Sequence, residues 1–171
     1  MKGSLLLATF LLPLSVSAQT IDVRPGLWEH HIELKSQSGR LELALEMART
    51  QMALLPPEQR QMVEGVIEAQ GLKVDWVNQT FQNCVTEAEA ASGRFKFAED
   101  GGCTINRAEP NGLSTHVEFT CAQGQGSLQL ANGIEYTGQS NMTLNFNGFI
   151  EQASATHSGQ WLGASCGAVG Q

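Results

Sequence analysis

The 171-residue sequence is poor in charge, and poorest in positive charge: Lys and Arg number 10 against 17 Asp and Glu, a formal net charge of -7. No Lys/Arg cluster offsets that balance, which excludes recognition of a phosphate backbone as a main role; no nucleic-acid partner is expected. Cys-x-x-Cys pairs are absent, as are Gly-x-Gly-x-x-Gly and Walker-type spacings. Neither a structural zinc site nor a nucleotide cofactor is therefore indicated, and no cofactor is expected. No stretch reaches the roughly 20 consecutive apolar residues that a transmembrane helix needs. Glycine, by contrast, is plentiful at 18 residues, and 42% of the chain is hydrophobic. That composition points to a turn-rich β protein, of a length that suits one domain.

The first 18 residues have the layout of an export signal. Met1-Lys2 is followed by the apolar run Leu5 to Leu12, and Val16-Ser17-Ala18 supplies the small residues read by a signal peptidase. Cleavage is expected after Ala18, leaving residues 19–171 in the periplasm or outside the cell. Removing Lys2 leaves 17 acidic and 9 basic residues, a net charge of -8. In an oxidising compartment the even set Cys84, Cys103, Cys121 and Cys166 reads as two disulfides. Three pairings are open. The one adopted is Cys84–Cys103 with Cys121–Cys166, although Cys103 and Cys121 also flank a predicted hairpin and could bridge across it.

Leu27 to Lys35 alternates strictly, with Trp28, His30, Ile32 and Leu34 on one face and Glu29, His31, Glu33 and Lys35 on the other. This predicts a strand with one wet face. Residues 41–55 and 58–70 are rich in helix formers, broken by Pro56-Pro57 and bounded by Gly39 and Gly71. They predict a helical hairpin, 41–70, inserted between strands. Met62, Val63, Val66 and Ile67 lie on one side of its second helix, an apolar stripe suited to covering the open face of the sheet.

From residue 72 onward the pattern is β. Val74, Trp76, Val77 and Phe81 mark one predicted strand ending at Cys84, and Thr86 with Glu89 predicts a capped acidic helix start. Asn111-Gly112, Asn132-Gly133 and Asn147-Gly148 are hairpin signals between alternating runs. The expected fold is mainly β: an antiparallel meander, either a curved sheet or a barrel, with an inserted helical hairpin.

Four stretches together resemble a bacterial exported family, domain of unknown function 3617. They are Pro25-Gly26-Leu27-Trp28-Glu29, Pro56-Pro57-Glu58-Gln59-Arg60, Cys84-Val85-Thr86, and Gly159-Gln160-Trp161-Leu162-Gly163 leading to Cys166. The resemblance implies a small exported protein, largely β, and brings no catalytic residue with it.

Candidate chemistry is sparse. Gly163-Ala164-Ser165-Cys166-Gly167 matches the nucleophile-elbow spacing, but only four residues follow Gly167, too few for the helix that motif requires. His30 and His31 point to opposite faces, and a metal site from His30, His116 and His157 would need His116 to leave its polar face. No metal site is therefore expected. The ordinary reading of Trp28, Trp76 and Trp161, all in predicted strands, is core packing. The functional alternative is an apolar pocket lined by Trp28, His30, Trp76 and Trp161, under the hairpin as a lid. The leading expectation is a non-enzymatic binding or interaction module for a small hydrophobic ligand or another envelope protein. The alternatives are an envelope hydrolase using acidic residues, and an envelope stress or assembly factor that binds proteins through strand edges.

Overall fold

The computed structural model describes residues 21–95, 101–146 and 148–169; the expected signal segment 1–18 and Asn147 lie outside them. Among these residues eight strands form one antiparallel sheet: β1 (Gly26–Ser36), β2 (Leu72–Asp75), β3 (Thr80–Val85), β4 (Thr104–Asn111), β5 (Ser114–Cys121), β6 (Gly124–Ala131), β7 (Glu135–Phe146) and β8 (Phe149–Gly163). The spatial order is β2-β3-β1-β8-β7-β6-β5-β4. Strands β4 to β8 are the expected meander, and β1 docks on its last member. The sheet is open between β2 and β4, so the barrel alternative does not hold. Both edges resist strand addition: β2 has only four residues, and β4 carries Pro110 and a register shift between Ile105 and Arg107.

The Asn-Gly turns behave as their chemistry requires. Asn132 and Gly133 both take positive φ (51° and 67°) between β6 and β7, and Gly112 does so between β4 and β5. The predicted single strand through Val74 and Phe81 is instead β2, a tight turn and β3. The Asp75 carboxylate accepts the backbone N–H groups of Val77 and Asn78 and the Asn78 side-chain amide, all at 2.9 Å, and so reverses the chain. Trp76 therefore sits in a turn and not in a strand.

Among the described residues three helices interrupt the strands: α1 (Arg40–Leu54), α2 (Pro57–Glu68) and α3 (Glu87–Ser92). The last begins with the predicted capping box, the Thr86 hydroxyl accepting from Glu89 N–H and the Glu89 carboxylate from Thr86 N–H. The α1–α2 hairpin does not cover the sheet. Ser36 and Ser38 bond the carboxylates of Glu42 and Glu151, which fixes the start of α1 at the far end of β1. From there α1 packs on β1 and α2 on β2. Met52 is the one buried residue of α1, while Met62 and Val66 of the predicted covering stripe are 73% and 61% exposed.

The core lies on the other half of the apolar face. Ile21, Trp28, Val85, Ala108, Val117 and Leu130 form it, with Val23, Phe95, Tyr136 and Trp161 packed against them. The residues before β1 close this core. Trp28 Nε1–H donates to the Arg24 carbonyl (2.8 Å), Trp161 Nε1–H donates to the Pro25 carbonyl (2.9 Å), and the Arg24 guanidinium lies 4.9 Å from the Trp161 ring centre. Gly26 has φ 128°, and a Cβ there would stand 2.2 Å from the Gly163 carbonyl oxygen. Only glycine fits.

The disulfides are Cys84–Cys166 and Cys103–Cys121, which corrects the adopted pairing. Leu27 pairs with Cys84 on one side and Gly163 on the other, so β1 brings the end of β3 to the end of β8. Thr104 faces Thr120, which puts Cys103 beside Cys121 across the hairpin. With sequence separations of 82 and 18 residues, loop entropy assigns them about 4.5 and 3 kcal/mol.

Replacing Cys84 and Cys166 together by Ala should lower the urea midpoint by more than replacing Cys103 and Cys121. Gly26→Ala should cost at least about 2 kcal/mol, with the disulfides intact. Equal midpoints for Gly26→Ala and wild type would show that the Gly26–Gly163 contact is not as tight as described.

Candidate functional site

The sheet has two unlike faces. On the apolar face the register aligns His30 with Phe81 on β3 and Gly159 on β8, and Gly159 with Tyr136 on β7. A Cβ at Gly159 would lie 2.2 Å from the Tyr136 ring, so the ring occupies the space of the missing side chain. Tyr136 thus spans β8 and reaches His30.

The resulting network is buried. His30 Nε2–H donates to Asn83 Oδ1 (2.6 Å) and Nδ1 accepts from the Tyr136 hydroxyl (2.8 Å), one neutral tautomer satisfying both bonds. Phe81 stacks on the imidazole at 4.8 Å. Burial holds the His30 pKa below 6.5 against the opposing pull of Asn83 and Glu29, and pushes the Tyr136 hydroxyl up to about 12. These groups stay neutral and immobile. They fill space and fix register.

A second pair on this face is Ser140 with His157, the hydroxyl 2.7 Å from Nε2. Serine beside a histidine base is a nucleophile arrangement in outline. Among the described residues no carboxylate orients His157, however, and Ser140 is only 6% exposed, so the pair reads as a satisfied buried hydroxyl. Glu151, 3% exposed, is held by the Ser38 N–H and hydroxyl, both at 2.8 Å. Sequence reasoning passed over it, although its even spacing from Ala153, Ala155 and His157 marks it as inward-facing.

The expected pocket residues are partly brought together. Trp28, His30 and Trp161 meet around the core, with Trp28 opposite Trp161 and its ring 6.3 Å from His30. Trp76 stands apart in the β2–β3 turn. Among the described residues, Ile21, Val23, Tyr136 and Trp161 pack together with Trp28 in the core. His30 lies on the apolar face and His31 and His116 on the polar one beside Glu33 and Glu118, as their alternation predicted, and His157 joins His30 on the apolar face. Among the described residues no cluster of three metal-ligating side chains occurs. Ser165 follows β8 just before the turn at 167–169, and its hydroxyl accepts from Gly167 N–H.

Two concavities lie on the polar face. The larger, about 520 Å³, runs over β1, β8, β7 and β6 and is lined by Glu29, His31, Gln129, Glu135, Thr137 and Gln160. Within it Glu29 is held from both sides, its Oε2 accepting from Gln82 and its Oε1 from Gln160, each at 3.1 Å.

An open antiparallel sheet with a helical hairpin between its first two strands, closed by a Trp28–Trp161 pair and a Cys84–Cys166 bridge, defines the class. The chain belongs to the family described as "Protein of unknown function (DUF3617)", whose sequence model matches residues 23–166. It is also 32% identical over 108 residues to a Pseudomonas putida protein described as "Uncharacterized protein in lpd-3 5'region", covering 63% of this chain and 75% of that one. No solved structure matches it.

The lowered His30 and His157 values set a pH dependence. Each histidine takes up its proton more readily when unfolded, near 6.5, than when folded. The stability this gives is full above 6.5 and is lost as pH falls below it towards the folded values. The melting temperature should therefore drop between about pH 7 and pH 5, before ordinary carboxylates titrate. His30→Gln should flatten that drop; an unchanged slope would assign it to His157. Gly159→Ala should displace Tyr136 and destabilise by about 2 kcal/mol or more.

Proposed function

We propose that this is an exported, non-enzymatic interaction module whose helical hairpin docks on a basic, apolar segment of another envelope protein. The observation that carries it is the outward apolar surface of the hairpin. Leu43, Met47 and Leu54 on α1, and Met62 and Val66 on α2, are 54–78% exposed. Singly exposed apolar residues are ordinary, but a run of them along both helices of one element is a docking signature.

Charge favours a basic partner. The three arginines of the hairpin are engaged: Arg40 lies over the Phe149 ring, Arg49 pairs with Glu46, and Arg60 donates to the Ala53 and Leu55 carbonyls. Glu58, Glu64 and Glu68 add negative charge along α2. With a mature net charge of -8 from 17 acidic and 9 basic residues, two copies repel, while a basic segment is attracted. The exposure of Met62 and Val66 removes support for a hairpin that acts as a lid. The blunted edges of β2 and β4 remove support for strand addition.

Replacing residues 41–70 by a short Gly-Ser bridge should leave the β circular dichroism in place and lower the binding of a hydrophobic dye. A lid would give the opposite, stronger dye binding after deletion. A synthetic basic amphipathic helix should bind the full chain with an affinity that falls as salt rises, and should not bind the Leu43→Ser/Met47→Ser/Met62→Ser/Val66→Ser variant. Dimers in light scattering that this variant disperses would replace the partner reading with self-association.

A further inference from the structure

We propose that the groove on the polar face, opposite the core and independent of the hairpin, is a binding site for a neutral saccharide. Its polar-face lining is carboxylate, amide, hydroxyl and imidazole apart from Ala131. His30, Tyr136 and Gly159 also reach the groove, so its floor offers carbon surface between the polar groups. Glu29 and Glu135 repel phosphates and other anions, and no described cluster of three metal-ligating groups exists to hold a cation. A neutral ligand with hydroxyl groups around a C–H ring face matches this mixture of polar groups and carbon surface.

The position of Glu29 is the specific reason. Gln82 and Gln160, on the strands either side of β1, each donate one amide hydrogen to one carboxylate oxygen. The carboxylate is thereby fixed by neutral donors, and no described Lys or Arg pairs with it. Each oxygen keeps lone-pair capacity for a further donor. Two parallel acceptors held this way suit the paired donors of a vicinal diol, and a charged acceptor makes each bond stronger than a neutral one. Thr137 and Ser158 hydroxyls and the Gln129 amide flank the same space, and can both donate and accept, as sugar hydroxyls demand. The methylene stems of Gln129, Glu135 and Gln160 give the sugar ring a C–H surface to rest on. The volume of about 520 Å³ holds two or three sugar rings, within the usual range for small-ligand sites.

In so open a groove affinity per site should be weak, in the millimolar range. The test is an amide NMR titration of the mature chain with cellotriose, maltotriose and chitotriose, each to about 20 mM. At least one should shift the amides of Glu29, His31, Thr137, Ser158 and Gln160 together, leaving the hairpin amides unmoved. Glu29→Gln should weaken that binding about tenfold or more, the effect of removing one charge-assisted acceptor. Thr137→Trp, which fills the groove without touching the bonds to Glu29, should abolish it, whereas Gln125→Ala on the neighbouring concavity should change nothing. The proposal is overturned if no trisaccharide shifts these amides, or if Thr137→Trp binds as wild type. It also falls if spermidine produces the same shifts at lower concentration than any sugar, which would make the groove a cation site.

Discussion

At Gly26 the chain passes so close to Gly163 that a single methyl group would overlap the carbonyl oxygen, and the order of the sheet follows from that contact. Because β1 seats there, it pairs along most of its length with β8 and takes β3 on its other side. The Trp28 and Trp161 indoles then point their N–H groups at the carbonyls of Arg24 and Pro25, so each large ring is buried without an orphaned donor. The Cys84–Cys166 bridge closes the same junction covalently. One strand insertion thus aligns the tryptophan pair, a disulfide and the plug of residues 21–25.

The faces of the sheet diverge in what they offer. On the apolar face glycine at 159 and 126 makes room for the rings of Tyr136 and Phe119, and rings laid over glycine let side chains from non-adjacent strands meet. Core and polar network alike become tightly filled there. Outside that packing lie the exposed apolar residues of the hairpin and the groove around Glu29. Groups with perturbed titration are often functional signposts. Here His30 and Tyr136 owe their shifts to burial within the packing.

Local chemistry made much of this legible beforehand. The alternation of 27–35 placed Trp28 and His30 together on the buried face, Thr86 and Glu89 formed the capping box, and Asn132-Gly133 took the turn conformation its backbone freedom allows. The failures share one cause. The run through Val74 and Phe81 looked continuous because apolar spacing says nothing of the carboxylate of Asp75 turning the chain. The stripe on α2 looked inward because a helix's own periodicity cannot say whether a neighbour exists to cover it. The cysteine pairing was missed because β1, far away in sequence, comes between β3 and β8.

Periodicity, turn chemistry and caps act over a few residues, so the sequence by itself determined the strand faces, the hairpin turns, the helical insert and the mainly β class. The seating of β1 between β3 and β8, the Cys84–Cys166 bridge, the Tyr136–His30 bond across β8 and the bracing of Glu29 by Gln82 and Gln160 belong to tertiary structure alone. Each joins residues dozens of positions apart, and the contact exists only once register is set. Register in turn rests on shape, the close passage at Gly26 and the space left by Gly159, which a one-dimensional pattern of apolar and polar residues does not encode.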